Sequence, residues 1–457
     1  MTERTWIEET PAKVGEVVTV KGWVHARRDH GKLIFIDVRD RTGYLQAVAV
    51  GSDAEVFETA SELRSEYVVS ITGEIKARGE RQVNTDTPTG AVELKIQDIT
   101  ILNTSETPVF EIEKAPEASE ELRMKYRYLD MRSERMKQNI RKRHKVVKHI
   151  RDYLIDQRFW EVETPYLTKG TPEGAREFVV PARLQPGNHF VLPQSPQQFK
   201  QLLMAGGVER YFQIARCFRD EDARGDRQAE FTQVDMELSF VDKEEIMQLN
   251  EALLIDIVTK LYPEKRIQTV PFPRISYQDA MEQYGNDRPD LRADPNDPNL
   301  LAFCWVVDFP MFEEVDHKAH PENKADWTFT HNPFSSPVDA GLESLRNKEN
   351  IGEIISTQYD IVLNGYEIGG GSIRTHQAAD LRKTLQIIGY SDEVIDRDFS
   401  HMLTAFTYGT PPHGGIAWGL ERLVMLLQGE TSIRDVMAFP KTGDSRDLLM
   451  GAPSKIL

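Results

Sequence analysis

The chain has 457 residues, a net charge of −17, 40% hydrophobic and 28% charged residues, which is the composition of a soluble globular protein of two or three domains. It holds no apolar run of roughly 18 residues and no basic-then-apolar leader, so the sequence predicts neither a membrane span nor export, and the expected location is cytoplasmic. Two cysteines, Cys217 and Cys304, without a CxxC spacing, fit a reducing compartment and free core thiols, and exclude a cysteine-rich zinc site.

Residues 1–104 read as all-β. Val17 to Val24, Leu33 to Val38, Leu45 to Val50 and Tyr67 to Ile75 are β-rich runs punctuated by Gly31 and Gly43. About five short strands in that length make a small barrel such as the OB-fold. Ile34, Ile36 and Val38 point one way, and Phe35 points the other way with Asp37 and Arg39. An aromatic on the polar face is a stacking platform for an unpaired base, although a lone exposed Phe is more often incidental. Arg27, Arg28, His30 and Lys32 on the preceding turn suit phosphates.

Residues 105–130 read as a hinge, rich at first in Pro, Glu, Ser and Ala, and 131–457 as the larger domain. Leu122 to Arg151 carries many cations against few acids; such a patch can meet nucleic acid despite the net charge, or be a solvated helix face. Ile140, Val147, Ile150 and Leu154 give Lys137 to Arg158 helical spacing. Gly170 to Gly174 is loop-like, with the character of a lid. Ser195 to Ala205 begins with Ser-Pro, a helix start.

Arg210 to Phe240 predicts two antiparallel strands joined by a charged loop. Thr232, Val234, Met236, Leu238 and Phe240 share an apolar face; Phe231, Gln233, Asp235, Glu237 and Ser239 share a polar one. An aromatic, an amide and two carboxylates, with Arg219, Glu221, Arg224 and Arg227 in the loop, suit a floor that holds a small polar ligand beside a phosphate. A helix follows at Lys243 to Leu261, and Asn286 to Asn299 is polar and proline-rich. Asn364-Gly365 centres a hairpin at Tyr359 to Gly371. A two-residue loop pairs Val362 with Glu367 and Asp360 with Gly369, placing Asp360 and Glu367 on one face, where they can share a divalent cation. Strict alternation puts Arg374 on the opposite face unless a bulge intervenes. Leu420, Leu423, Val424 and Leu427 mark a last helix, with Gly419 and Arg422 at its start; Arg fits forked contacts to phosphate.

Taken together, FRDE…RQAEFTQVDME (Phe218 to Glu237), the segment ending at Pro165, Gly419 to Arg422, KYRYLDMR, TPEGAREF, QSPQQFKQLLM and GYEIGGGSIR resemble a class II aminoacyl-tRNA synthetase, most closely the bacterial aspartyl type, from about Gly22 to Lys441. The resemblance implies an α+β chain: an N-terminal OB-fold β-barrel that binds the anticodon, a short hinge, and an antiparallel-sheet catalytic domain with flanking helices, paired as a homodimer through the Pro165 region. It implies ATP and Mg²⁺, L-aspartate, and tRNA(Asp) as partners. By matching position, Arg219 and Arg422 are the catalytic pair on the phosphates. Asp220, Glu221, Gln228, Phe231, Glu367, Gly419, Leu420 and Glu421 surround the rest of ATP, and Asp360 and Glu367 hold the metal. Glu173, Gln197 and Asp235 surround the amino acid's ammonium, Lys200 and Arg374 its side-chain carboxylate, and His331 closes the pocket. Arg28, His30, Phe35, Gln46 and Gln82 meet the anticodon.

The sequence departs from that pattern in three places. Only Ala293 to Phe303 connect the segments between which the bacterial family carries a large inserted domain. His331-Asn332 stands where the family has paired histidines, and Ala229 where proline is usual. The competing readings are an asparaginyl- or lysyl-tRNA synthetase, a tRNA-independent asparagine synthetase, and a non-catalytic tRNA-binding paralogue. The first is opposed by Lys200, because two cations facing a neutral amide are poorly used. The second lacks a barrel, and the last is expected to have lost Arg219, Arg422, Asp360 or Glu367, all of which are present. For tRNA(Asn) as a second acceptor, His30 and Gln82 point in opposite directions, and the reading leans to relaxed specificity on His30.

Overall fold

The computed structural model describes residues 3–170, 174–318 and 325–455. The chain forms two compact units, one within Met1–Arg123 and Tyr128–Lys137, the other within Met124–Arg127 and Gln138–Leu457.

In the first unit, β1 (Val17–Asp29), β2 (Leu33–Arg39), β3 (Tyr44–Val50), β4 (Val68–Ala77) and β5 (Val92–Asn103) close into a barrel in the order β1-β2-β3-β5-β4. Neighbours run antiparallel except β3 and β5. Alternation sorts the residues: Ile34, Ile36, Val38, Leu45, Ala47 and Ala49 are buried, while Phe35, Asp37 and Gln46 are half-buried on the outside. Each large apolar side chain removed from water contributes roughly 1.5–3 kcal/mol. Helix α1 (Ala54–Glu62), capped by Asp53, buries Val56 and Ala60 against the barrel core. The sequence reading did not anticipate it, because two apolar positions in a short segment leave little periodicity to read.

One reading changes here. Arg39 does not share the open face with Phe35; it is buried against Glu66, donating to both carboxylate oxygens at 2.9 and 2.8 Å. The stretch after residue 104, read as a hinge, carries local structure: a 3₁₀ turn, Ile112–Glu117, buries Ile112 and Ala115, and Tyr44 donates to Glu113 at 2.8 Å.

The second unit is built on an eight-stranded sheet. Its strands are β6 (Trp160–Glu161), β7 (Arg210–Phe218), β8 (Glu230–Ser239), β9 (Arg274–Ser276), β10 (Phe303–Val307), β11 (Tyr359–Leu363), β12 (Tyr366–Ile373) and β13 (His413–Gly419). They lie in the order β9-β10-β11-β12-β13-β8-β7-β6; the interior pairs are antiparallel and both edge pairs parallel. Helices α2 (Glu134–Asp156), α3 (Gln197–Ala205), α4 (Lys243–Leu261) and α5 (Leu420–Gln428) complete the frame. One sheet face is apolar: Phe212, Val234, Met236, Ile361, Ile416 and Trp418 pack with Ile150 and Leu154 of α2, Leu253 and Ile257 of α4, and Leu423 and Leu427 of α5. The other face carries the polar alternates and meets α3.

The strand expected to continue to Phe240 ends at Ser239; Phe240 turns to φ +59° and is exposed, leaving the apolar stripe. Cys217 and Cys304 are buried free thiols. Most of the basic run serves packing and local ion pairs. Arg127 is buried and donates to the carbonyls of Arg434, Met437 and Ala438, while Lys142 meets Glu264, Arg143 meets Glu421 and Arg151 meets Glu161. Among the described residues, no helix is long and apolar enough to cross a membrane.

Candidate active site

The geometry of the polar face turns on one hairpin. Asn364 and Gly365 take φ +50° and +83°, the left-handed pair that a two-residue turn needs. Val362 pairs with Glu367 as expected, but Ile361 pairs with Gly369 and Asp360 with Gly370 rather than Gly369. Ile368 is the extra residue, and it is driven into the apolar core beneath. This bulge reverses the alternation beyond it. Gly370, Ser372 and Arg374 therefore share a face with Asp360: a Cβ on Gly370 would lie 2.5 Å from Asp360 Oδ1, and Arg374 donates to Ser372 Oγ at 2.8 Å. The bulge that Arg374 required is present.

Beside it, β8 presents Phe231, Gln233, Asp235 and Glu237 in alternation, and β13 contributes residues without bulk. A Cβ on Gly415 would lie 2.0 Å from Glu237 Oε2, so only glycine leaves room for that carboxylate. A cavity of about 390 Å³ opens over this floor. At one end Lys200 of α3, 2% exposed, donates to Asp235 at 2.7 Å and lies 3.2 Å from Glu237. Arg374 donates to Glu237 at 2.9 and 3.2 Å. Burial pushes the Asp235 carboxyl up, and Lys200 offsets only part of this. Burial acts on Glu237 as well, but Arg374 and Lys200 outweigh it and hold that carboxyl down.

At the other end, the Arg219 guanidinium lies 5.1 Å from the Phe231 ring centroid. Arg422, in the first turn of α5, donates to the Glu367 carbonyl and to Asp226 at 3.2 Å. The Nε atoms of both arginines are buried without a hydrogen-bond partner. Between the ends, His331 Nε2 lies 3.3 Å from Asp360 Oδ2, and Gln358 donates to Asp360 Oδ1 at 2.7 Å. Burial alone would lower the His331 imidazole; the charge of Asp360 more than reverses this and raises it. Glu367, which keeps an exposed edge, is pushed up by burial and then by repulsion from Asp360.

Of the residues singled out in the sequence, the cavity collects Gln197, Lys200, Arg219, Glu221, Gln228, Phe231, Asp235, His331, Asp360, Glu367, Arg374, Gly419, Glu421 and Arg422. Glu421 is held from behind, accepting from Arg143 at 2.7 Å and from the Thr232 amide at 2.9 Å. Two are not in its wall: Asp220 lines a neighbouring hollow, and Leu420 is fully buried in the apolar core. Glu173 lies outside the described residues, as does most of the lid-like stretch. Gln233 of the expected polar floor lines the cavity, and Glu237 lies against Lys200 and Arg374 at its end; sequence reasoning missed Gln358, although period two from Asp360 signals it. Asp226 comes from the loop and carries no such signal. Among the described residues, no cluster of three His, Cys, Asp or Glu side chains has a metal-binding arrangement.

In the barrel, Arg28 makes a forked pair with Asp37 at 2.7 and 3.0 Å and reaches Gln46 at 3.4 Å. His30 stands edge-on to Phe35 at 5.5 Å. Gln82 lies in a separate exposed turn, Glu80–Gln82.

Residues 119–443 match the class II tRNA synthetase family for D, K and N, and residues 18–102 match the OB-fold nucleic acid binding domain. The chain belongs to the class II tRNA synthetases. Among its relatives are an aspartate--tRNA(Asp/Asn) ligase of Dehalococcoides mccartyi, 39% identical over 98% of this chain and 96% of its own, and another of Natranaerobius thermophilus, 40% identical over the same shares. An aspartate--tRNA ligase of Geobacillus kaustophilus is 39% identical over 99% and 97%. The Dehalococcoides alignment runs over 581 positions although this chain has 457 residues, so that relative carries residues with no counterpart here. The asparaginyl-tRNA synthetase of Pyrococcus horikoshii, solved with asparaginyl-adenylate, superposes with a TM-score of 0.76 at 25% identity, covering 97% of this chain and 99% of its own. The aspartyl-tRNA synthetase of Entamoeba histolytica, at a TM-score of 0.72 and 23% identity, shares the fold. This synthetase thus pairs the sequence likeness of aspartyl enzymes with a compact length.

Proposed function

We propose that the chain activates L-aspartate with ATP and transfers it to tRNA(Asp), with tRNA(Asn) as a second acceptor. The observation that carries the reading is the pair of buried cations, Lys200 and Arg374, set side by side at one end of the cavity. Together they match a side-chain carboxylate; for a neutral amide, one of the two would stay unused. The aspartate ammonium then meets Asp235 and Gln197, the residues that the resemblance assigns to it together with Glu173. Its α-carboxylate is left facing the Arg219 end.

There the chemistry is attack of a carboxylate oxygen on the α-phosphorus of ATP. A new O–P bond forms as the bond to the β-phosphate oxygen breaks, and pyrophosphate leaves. No protein nucleophile takes part; positioning and neutralisation of phosphate charge carry the rate. Arg219 holds the α-phosphate and Arg422 the γ-phosphate, and Phe231 stacks on adenine. Glu221 and Gln228 lie near the base, and Gly419 and Glu421 line the floor below. Asp360 and Glu367 fit Mg²⁺: both are hard oxygen donors, burial and then the repulsion of Asp360 raise Glu367, and Mg²⁺ ordinarily takes one or two carboxylates plus substrate phosphates. When bound, that cation supplies charge neutralisation on the phosphates. His331, hydrogen-bonded to Asp360, closes the cavity between the two substrates.

Arg28, Phe35 and Gln46, which the barrel gathers on one outer face with His30 beside them, serve the anticodon, and Gln82 approaches from its own turn. A homodimer is proposed through the edge strand β6 and the Pro165 region, where Ile155, Trp160, Tyr166 and Leu167 are all exposed. The free buried thiols fit a cytoplasmic enzyme. Charging purified tRNA(Asp) and tRNA(Asn) side by side tests the acceptor range. The expected result is aspartate on both; a preference for tRNA(Asp) above about a hundredfold, roughly 2.7 kcal/mol, rejects the second acceptor.

A further inference from the structure

One buried chain of hydrogen bonds behind the cavity has a direction. His413, at the start of β13, is fully buried, and its Nδ1 lies 2.8 Å from the Pro411 carbonyl oxygen. A carbonyl only accepts, so Nδ1 carries the hydrogen. Burial holds this imidazole below its ordinary value, which keeps it neutral and leaves Nε2 a bare acceptor. Gln201 Nε2 lies 3.2 Å from that nitrogen and must donate to it. Its oxygen is thereby turned the other way, toward Gln197, whose Nε2 donates at 3.1 Å. Gln197 and Gln201 are four residues apart on α3, stacked on one face, and Gln201 is fully buried. With its nitrogen end turned to Gln201, Gln197 has its oxygen on the opposite side of the amide, in the wall of the cavity it lines.

We propose that His413 and Gln201 are positioning residues that lock the Gln197 amide with its oxygen facing the substrate. An amide is nearly symmetric in shape but opposite in polarity at its two ends. Facing the cavity with oxygen, beside the Asp235 carboxylate, it accepts from an ammonium; turned over, it would set two N–H groups against a cation. The fixed carbonyl of Pro411 propagates one polarity through an imidazole and two amides, so the binding end is set by a group on the far side of α3. This rests on the reading that Gln197 meets the ammonium of the amino acid.

The test is aspartate- and ATP-dependent pyrophosphate exchange by the full chain, with Gln197→Met, Gln201→Met and His413→Phe, and with the last two each combined with Gln197→Met. Gln201→Met and His413→Phe should each raise KM for aspartate about tenfold, the scale of one misdirected hydrogen bond, with kcat and KM for ATP within about twofold. In the Gln197→Met background, neither should add more than about twofold, because there is no amide left to orient. If Gln197→Met leaves KM for aspartate unchanged, the contact between Gln197 and the ammonium is wrong. If Gln197→Met raises it but the other losses multiply on top, or fall equally on kcat and ATP, the relay is wrong. Should His413→Phe not fold, the Gln201→Met pair of measurements decides alone.

Discussion

The two ends of the cavity handle charge in opposite ways. At the Lys200 end every cation is already matched: Lys200 rests on Asp235 and Glu237, and Arg374 is gripped by Glu237 through two donors. At the Arg422 end, Arg219 and Arg422 each keep a buried Nε without a partner, although Arg422 also meets Asp226, and two acids of the same cavity, Asp360 and Glu367, repel each other. A pre-paired site recognises a small ligand by offering fixed geometry, since its groups cannot rearrange without stranding a buried charge. A site with spare donors and crowded acids awaits an anion and a cation together. On the proposed reading, recognition of the amino acid and binding of the triphosphate are thus separated along one sheet face.

Breaking the paired end should cost most in stability. Arg374→Leu leaves Glu237 buried with only Lys200 beside it, and removing one member of a buried pair typically destabilises by about 3–5 kcal/mol. A denaturant midpoint well below wild type is expected, whereas Arg422→Leu, whose guanidinium contacts a carbonyl and one half-buried acid, should shift it little. In kinetics the order reverses. Loss of Arg219 or Arg422 should lower kcat for exchange by about a hundred- to a thousandfold, the scale of one preorganised charge-stabilising donor. Lys200→Met should cost about 1.5–3 kcal/mol in kcat/KM for aspartate while leaving KM for ATP nearly unchanged. Equal losses for both substrates would erase the distinction between the ends.

The finest test is pH. Glu237 is held below its ordinary value, so its ionised form contributes stability that is complete above the unfolded carboxyl's pKa of about 4.3 and is lost as pH falls through its depressed folded value. Glu237→Gln should therefore lie furthest below wild type above about pH 5 and converge with it in acid. Asp235 is held above its ordinary value, and its contribution has the opposite sign, present at low pH and lost as pH rises. Asp235→Asn should accordingly gain on wild type as pH climbs from about 3 upward. Parallel denaturation series across pH 3–7 would show whether the two neighbouring carboxylates diverge in this way.

How much of this was legible beforehand depends on how local each feature is. The hairpin Arg210 to Ser239, the helix Lys243–Leu261 and the barrel strands follow from period and turn chemistry carried within short stretches. The pairing of Asp360 did not, because one residue, Ile368, is drawn into the core by helices distant in sequence, and that shift alone decides which way Arg374 points. The place of Leu420 was illegible for a related reason: its neighbours Gly419 and Glu421 line the cavity while its own side chain faces the apolar layer. Arg39 shows the same limit in the barrel, where a buried partner, Glu66, arrives from another strand's approach. The relay through Gln201 and His413 joins residues 212 positions apart, and nothing in either local sequence announces it.

The most direct measurement is pyrophosphate exchange into ATP without tRNA, with aspartate and asparagine compared on the same preparation in the presence of Mg²⁺. The paired cations at Lys200 and Arg374 predict exchange with aspartate and at least about a hundredfold weaker exchange with asparagine, in line with the rejection a site built for one polar group achieves. No exchange with aspartate, or equal exchange with the two, would contradict the account.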